Sequence, residues 1–261
     1  MLFLPEGEGR RGEGGLRTQE YFKRSLPEKP LITVITVVFN GAQHLEETIL
    51  SVIRQTYDNV EYIIIDGGST DGTLDIIRKY EHAIDYWVSE KDEGIYDAMN
   101  KGIDLTTGDW INFMNAGDSF FSKNILAESQ LDNSFDVIFG DHASYTTDKK
   151  IYCKHNARKS FWKGCVPYCH QSLFVKRELV LQFPFNLKYK VAADYNQYIQ
   201  FKSFGAKIVH ISKTISLVLE GGFSFVERKD LLSENYKIMC SYSRIYANCI
   251  FLLLRIKKLI Q

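Results

Sequence analysis

Three aspartates stand where a carboxylate could bind a ligand or take part in a reaction. Asp66 opens the segment DGGSTDGT, Asp118 ends the segment NAGD, and Asp194 lies in AADYNQYI. Glycines in the first segment let the backbone approach a ligand closely, and free amides at a following helix start can meet phosphate. Asp118 is suited to hold an oxygen-preferring cation such as Mg²⁺ or Mn²⁺, and Asp194 to act as a general base.

Each aspartate also has a purely structural interpretation. Asp66 and Asp71 fit a strand-to-helix turn in which Asp and Ser cap the helix, and Asp118 fits a cap for a helix over 122–129. Asp194 begins a helix among small residues, where a capping role requires no function. Taken singly, the three segments leave both interpretations open.

The elements around these residues alternate between strand and helix. Residues 31–39 form a β-branched apolar run typical of a strand buried on both faces, and an amphipathic helix with Leu45 and Ile49 on its apolar face follows. Further strands are predicted over 61–65, 85–88, 110–114 and 136–140, with a helix carrying Ile95, Met99 and Ile103. This alternation predicts an α/β fold with a mostly parallel sheet flanked by helices.

Ligands of such sheets bind beyond the carboxyl ends of the strands. We therefore expect Phe39, Asp66 and Asp118 to lie along one crevice. After about residue 141 the alternation fades, and strands over 170–175, 206–211 and 214–219 with a helix over 194–203 are predicted. Residues 31–225 are then expected to form one domain, with 142–225 as a substrate-facing extension of the sheet that 31–141 forms.

The two ends differ from this domain in composition. Residues 1–30 are rich in Gly, Glu and Arg and are predicted to be a poorly ordered or surface-draped arm. Residues 226–261 form a tail with helical pattern that ends in CIFLLLRIKKLIQ. The tail is expected either to pack on the domain or to lie at a membrane interface, with Arg255, Lys257 and Lys258 toward lipid phosphates.

Composition excludes several classes of protein. Lys plus Arg equals Asp plus Glu at 32 each, which argues against a nucleic-acid binder. The N-terminus lacks a signal-peptide pattern and no apolar run is long enough to span a bilayer, so a cytoplasmic protein is expected. The five cysteines match no metal-ligand spacing, although Cys153, Cys165 and Cys169 lie close together near His155, and free thiols are expected.

The order of the motifs is more specific than any one of them. VITVVFN, DGGSTDGT, SEKDEGIYDAMNKGI, NAGD, CHQSLF and ADYNQY together resemble glycosyltransferase family 2, the inverting enzymes of GT-A fold, and especially bacterial members that assemble surface polysaccharides. The resemblance covers roughly residues 16–225, and it implies that 31–141 is the nucleotide-sugar-binding half of the domain and 142–225 the acceptor half. It implies a nucleotide-sugar donor, most simply a UDP-sugar, a saccharide or polyprenyl-linked acceptor, and Mn²⁺ or Mg²⁺ as cofactor.

The resemblance assigns roles to the residues of this chain that occupy matching motif positions. The resemblance implies that Phe39 lies against the base, that Asp66 is the first of the paired aspartates, and that Asp118 binds the metal. Asn115 matches the first position of the metal motif, and Asp194 matches the catalytic base. The stretch that lines the donor pocket supplies four more expected donor-binding residues: Asp92, Tyr96, Asn100 and Lys101.

Three positions depart from the family pattern. The second paired aspartate is Gly67, NAGD keeps a single carboxylate, and the glutamate before the catalytic aspartate is Ala193. These departures leave the identity of the nucleotide open.

Three further side chains have open assignments. His170 and Gln171 are expected near the acceptor or the diphosphate, with a buried structural histidine as the alternative to a site role for His170. His210 is expected either to complete the metal shell or to be structural. The alternative functions are a nucleotidyltransferase that makes sugar nucleotides and a catalytically silent sugar-binding scaffold.

Overall fold

The central strands are buried on both faces because they consist almost entirely of β-branched and aromatic residues. The computed structural model describes residues 1–7, 9–146, 151–155, 166–220 and 228–243, with the backbone alone at 151–155 and 228–229. Every residue of Ile32–Val38 and Val60–Asp66 is buried. These two strands pair in parallel and form the centre of the sheet.

The sheet is mostly parallel at its centre, as predicted. Strand order is β1-β4-β3-β2-β5-β9-β7-β10-β6, with β8 on β7. Pairing is parallel from β4 to β5 and between β7 and β10, and antiparallel elsewhere. The strands are β1 Gly12–Gly14, β2 Ile32–Val38, β3 Val60–Asp66, β4 Tyr86–Ser89, β5 Trp110–Phe113, β6 Ser119–Phe120, β7 Val137–Tyr145, β8 Ile151–His155, β9 Leu173–Lys176 and β10 Ile208–Leu219.

Helices cover both faces of this sheet and complete two apolar clusters. One cluster joins α3, α6 and the C-terminal helix, and the other contains the buried face of α1. Within the described residues the α-helices are α1 Ala42–Ile53, α2 Thr73–Lys79, α3 Ile95–Leu105, α4 Ile125–Glu128, α5 Arg177–Gln182, α6 Ala193–Phe204 and α7 Arg228–Tyr242.

The N-terminal arm, expected to be poorly ordered or draped over the surface, adds a strand to the sheet. Strand β1 pairs antiparallel with β4 and extends the sheet by one strand. Arg17, only 2% exposed, donates to Glu61 at 2.6 Å, and Glu61 is equally buried. A buried, paired guanidinium holds its segment firmly, because breaking the pair would leave an uncompensated charge. The polar composition of the arm concealed this pairing.

The acceptor half differs from its prediction at two places. Residues 170–172 form a short 3₁₀ helix before β9 rather than part of a strand. The two strands expected at 206–211 and 214–219 form one strand, β10, whose register against β7 shifts between His210 and Ser216. The irregularity brings the carbonyl of Lys213 within 2.5 Å of where a Cβ on Gly140 would stand, so the bulge requires a glycine there.

The start of the tail belongs to the core. Helix α7 begins at Arg228, and its Ile238 and Met239 are buried in the cluster that contains α6. None of the described helices is long and apolar enough to cross a membrane. The stretch on which the membrane-docking prediction depends, 244–261, lies outside the described residues.

Candidate functional site

The predicted crevice forms where β2, β3 and β5 end. Val38 is in register with Asp66, and the amide of Ala116 donates to the carbonyl of Val37 at 3.2 Å. Phe39 follows directly after β2 and is 64% exposed, an uncommon state for a large aromatic side chain. The carboxyl ends of these three parallel strands therefore bring Phe39, Asp66 and the NAGD turn to the same side of the sheet.

Asp66 is fully buried and hydrogen-bonded within the protein. Its carboxylate accepts hydrogen bonds from the amide of Ser69 at 3.0 Å, from the hydroxyl of Ser69, and from the hydroxyl of Ser89 at 2.5 Å. Three donors compensate for the loss of water around a buried charge. This geometry gives Asp66 the role of organising the turn, and its expected direct contact with the nucleotide stays a prediction.

The loop that Asp66 begins is held from outside as well. Asn40, in the left-handed region at φ 49°, donates its amide to the Ser69 hydroxyl at 2.7 Å and accepts from the Thr70 amide at 2.9 Å. Arg11, from the N-terminal arm, donates to the carbonyls of Gly68 at 3.3 Å and Ser69 at 2.5 Å. The arm thus stabilises the loop, a contact that the sequence did not indicate.

Gly67, at the position of the second paired aspartate, leaves room for the side chain of Asp92. A Cβ on Gly67 would overlap the Oδ2 atom of Asp92. Asp92 is partly buried and accepts from the amide of Gly94 at 2.9 Å through Oδ1, and burial raises the pKa of its carboxyl. Asp92 therefore places a carboxylate directly over the position where the family pattern has an acid.

Asp118 is a buried carboxylate with few compensating donors. It is 7% exposed and accepts from the Leu219 amide at 3.0 Å and from the side-chain amide of Gln171. Burial raises its pKa to about 7, while these two hydrogen bonds act in the opposite direction. A carboxylate this poorly compensated would be stabilised strongly by a cation.

Asn115 supplies a second oxygen atom in the same turn. Its Nδ2 lies 2.8 Å from Nε2 of His170, whereas its Oδ1 is buried without a hydrogen-bond partner. Burial, with a smaller contribution from the charge of His142, lowers the pKa of His170 to about 4, so the ring is neutral at pH 7. An orphaned amide oxygen beside a carboxylate suits a hard cation, so the donor set fits Mg²⁺ or Mn²⁺.

Asp118 and Asn115 alone would supply too few ligands for a complete metal coordination shell. In the described parts of the chain, no group of three His, Cys, Asp or Glu side chains is arranged to hold a metal ion. His210, expected either to complete the metal shell or to be structural, lies 3.0 Å from Asp141 and packs on the ring of Phe139. Of the three cysteines that lie close together in the sequence, Cys153 and Cys165 have side chains outside the described residues.

The CHQS motif supports the carboxylate of Asp118. Cys169 donates its thiol to Oε1 of Gln171 at 2.6 Å, which leaves Nε2 of Gln171 to face Asp118. Burial, followed by the charge of Asp118, raises the pKa of the Cys169 thiol, so it stays protonated as a donor. The structure thus places Gln171 on the proposed metal ligand, and its expected contact with acceptor or diphosphate stays a prediction.

Asp194 lies in the first turn of α6. It is partly buried, and its Oδ1 accepts from the amide of Tyr195 at 2.7 Å. Burial raises its pKa to about 6, and the charge of Glu234 acts in the same direction. Burial, followed by the charge of Asp194, raises the pKa of Tyr168. For Cys169, burial and the charge of Asp118 raise the pKa more than the charge of Asp194 does. A carboxyl that titrates near neutrality is suited to accept and release a proton.

The remaining predicted donor residues make contacts inside the protein. Tyr96 donates its hydroxyl to the carbonyl of Val191 at 2.9 Å, near Asp194. Asn100 forms a pair of hydrogen bonds with the backbone of Phe185, at 2.8 and 2.9 Å. Lys101 donates to Glu90 at 2.9 Å. Of the four residues expected from that stretch, Asp92 alone is placed over the DGGS loop, and the other three connect α3 to its surroundings.

Thr48 supports the NAGD turn, although sequence reasoning did not single it out. Its hydroxyl donates to the carbonyl of Asp118 at 2.7 Å and accepts from the amide of Gly117 at 3.1 Å. A threonine in the interior of a helix carries no signal of such a role, because its partner is 70 residues away in sequence.

Comparison with known sequences identifies a family and named relatives. The model of Glycosyl transferase family 2 matches residues 33–188. A PGL/p-HBAD biosynthesis glycosyltransferase of Mycobacterium bovis (strain BCG / Pasteur 1173P2) is 33% identical over 177 residues, which cover 64% of this chain and 68% of that protein. An uncharacterized glycosyltransferase of Haemophilus influenzae is 29% identical over 127 residues, 48% of each chain.

Solved structures share the arrangement of the sheet and helices. The mannosyltransferase PcManGT from Pyrobaculum calidifontis, in complex with GDP-Man and Mn²⁺, superposes with a TM-score of 0.65 at 17% identity, covering 88% of this chain and 69% of that one. S. aureus TarS 1-349 in complex with UDP-GlcNAc gives a TM-score of 0.60 at 16% identity, covering 80% and 64%. At these identities the likeness concerns the fold.

Proposed function

Because the chain belongs to glycosyl transferase family 2, and is therefore a glycosyltransferase, we propose that it moves a sugar from a nucleotide-sugar donor to a hydroxyl group with inversion at the anomeric carbon. The family and the GT-A type of α/β fold that the ordered motifs predict are both confirmed. The proposal is supported by the position of Phe39 and Asp118 just after the carboxyl ends of β2 and β5, and by Cys169, whose thiol is influenced by the charges of both Asp118 and Asp194.

The donor occupies the crevice at the ends of β2, β3 and β5. Phe39 offers an exposed ring against the base, and the carboxylate of Asp92 faces the same loop. Asp118 and Asn115 would hold a divalent cation, Mn²⁺ or Mg²⁺, which supplies positive charge to the departing diphosphate. Support for this metal comes from the orphaned Oδ1 of Asn115 and from a structural neighbour that contains Mn²⁺.

Asp194 removes the proton from the attacking hydroxyl. With a pKa raised to about 6 by burial, it is ionised at pH 7 yet basic enough to accept a proton as the new bond forms. The hydroxyl attacks the face of the sugar opposite the leaving diphosphate, so the configuration inverts. Positioning of base and donor supplies most of the rate enhancement in such a single displacement.

The donor is expected to be a UDP-sugar and the acceptor a saccharide or polyprenyl-linked saccharide of a bacterial surface polysaccharide. Named relatives are PGL/p-HBAD biosynthesis glycosyltransferases, and a structural neighbour was solved in complex with UDP-GlcNAc. A lipid-linked acceptor would place the enzyme at the cytoplasmic face of the membrane. The apolar and basic sequence of 249–261 supports peripheral contact there.

A donor panel tests the proposal. Protein is incubated with UDP-, GDP- and dTDP-sugars with and without Mn²⁺ or Mg²⁺, and nucleotide release and thermal shift are recorded, with Asp118→Ala as the disabled variant. Metal-dependent release that the variant lacks is the expected result, and a retained anomeric configuration in the product would refute the single displacement. The absence of any shift with any donor would favour a silent sugar-binding scaffold.

A further inference from the structure

The start of α6 lacks a capping side chain of its own. The residue at its N-cap is Ala192, and Ala193 follows, so neither can accept a hydrogen bond from the free amides of the first turn. Asp194 is too far into the helix to serve the preceding amides, and its Oδ1 accepts from Tyr195 instead. The backbone amides that lead into α6 therefore need an acceptor from another element of the fold.

Glu234 of α7 provides the missing acceptor. Its Oε1 accepts from the amide of Lys190 at 2.9 Å, and its Oε2 accepts from the amides of Val191 at 3.0 Å and Ala192 at 2.9 Å. One carboxylate thus satisfies three consecutive backbone donors just before Asp194. Its negative charge also lies at the positive end of α6, where anions are stabilised.

Two helices hold this segment from opposite sides. On the α3 side, Tyr96 donates to the carbonyl of Val191, and Asn100 pairs with the backbone of Phe185. On the α7 side, Glu234 binds the amides, while Ile238 anchors α7 in the core. The position of Asp194 therefore depends on a residue 40 positions later in the chain.

We propose that Glu234 is a positioning residue for the transfer reaction, because its carboxylate binds the amides of the N-cap residue Ala192 and of the two residues before it, and so fixes Asp194 at the acceptor hydroxyl. This inference rests on the proposed role of Asp194. In a family member whose catalytic aspartate follows Ala193 rather than the usual glutamate, the acid that orders this turn comes from the C-terminal helix. The negative charge of Glu234 also adds to the effect of burial on the pKa of Asp194.

Glu234→Gln is the informative substitution, since it keeps the shape of the side chain but replaces one accepting oxygen with an NH₂ group. We expect kcat to fall about 10-fold while the donor KM changes by less than about 2-fold, because misplacing a catalytic group affects the chemical step and not donor binding. Hydrogen exchange at the amides of 190–192 should speed up. Asp230→Asn removes a charge from an exposed position of the same helix and should match the wild type.

Hydrogen exchange and kinetics together distinguish the positioning role of Glu234 from the role of Asp194 as the base. Unchanged exchange at 190–192 in Glu234→Gln, or faster exchange with an unchanged kcat, would overturn the positioning role. A parallel rise in donor KM would indicate general damage and would overturn it too. If Asp194→Asn keeps its kcat, the base assignment fails, and the exchange data still decide whether Glu234 caps α6.

Discussion

Two turns on either side of β2 differ in how their aspartates are stabilised. The turn after β3 is nearly self-contained: Asp66 accepts from Ser69 in the same turn and from Ser89 on the neighbouring strand. The turn after β5 is completed from the acceptor half, by Gln171 and by the amide of Leu219. An aspartate with three donors has a structural task, whereas one with a raised pKa and an unpartnered amide oxygen beside it is prepared for a ligand.

The largest expected effect comes from Asp118→Asn. The amide keeps the volume of the side chain, and a flipped Gln171 side chain can accept from it, so the fold should be retained. Sugar transfer should fall on the order of 10³-fold, because the cation loses its carboxylate ligand. Initial rates at saturating Mn²⁺ measure this, and near wild-type activity in the variant would place the metal elsewhere.

Asp194→Asn should lower kcat by about 10²- to 10³-fold with little change in donor affinity, since a general base acts in the chemical step. In the wild type, kcat should rise with pH through about 6, because Asp194 must lose its proton before it can accept one. The charged or ionisable groups near this carboxyl are Tyr96 from α3, Tyr168, Cys169 and Glu234 from α7. A kcat profile that stays flat down to pH 4.5 would contradict the assignment.

Asp66→Asn should lower the stability of the protein, whereas Asp118→Asn should retain the fold and lower the activity. The new NH₂ group would face hydroxyl and amide donors, so we expect a loss of about 2 kcal/mol in the free energy of unfolding. Urea denaturation of the metal-free protein measures this loss. Asp75→Asn, at an exposed position of α2, is the matched control. If Asp66→Asn is as stable as the control, the contrast between the two turns is wrong.

The smallest effect is expected for Gly67→Ala. The added methyl group displaces the Asp92 carboxylate, a flexible side-chain end, so the fold should tolerate it. Donor KM should rise about 3-fold while kcat stays constant, because a substrate contact shared by ground and transition states is weakened. Initial rates over a range of donor concentrations give kcat and the donor KM separately. An unchanged KM would show that Asp92 does not contact the donor.

The sequence predicts local features of this molecule well. The β-branched runs at β2 and β3, the alternation of strands and helices, and the glycine-rich turns each follow from residues close together in the chain. The edge at which Phe39, Asp66 and Asp118 meet follows from the rule for parallel strands.

Contacts between distant segments were not predictable from the pattern. The ion pair that holds the N-terminal arm could not be predicted, because the partner of Arg17 is the buried Glu61, 44 residues later in the chain. The capping of α6 by Glu234 and the support of Asp118 by Gln171 likewise join separate elements. The roles of Tyr96 and Asn100 as links to the segment before α6 were hidden by the same distance.

Asp118 is proposed to couple the cation to the nucleoside diphosphate. Calorimetric titration of UDP into the wild type and Asp118→Asn, each with and without Mn²⁺, measures this coupling. We expect Mn²⁺ to raise the affinity of the wild type for UDP by about 10-fold or more and to leave that of the variant unchanged. An equal gain from Mn²⁺ in both proteins would mean that other residues hold the cation.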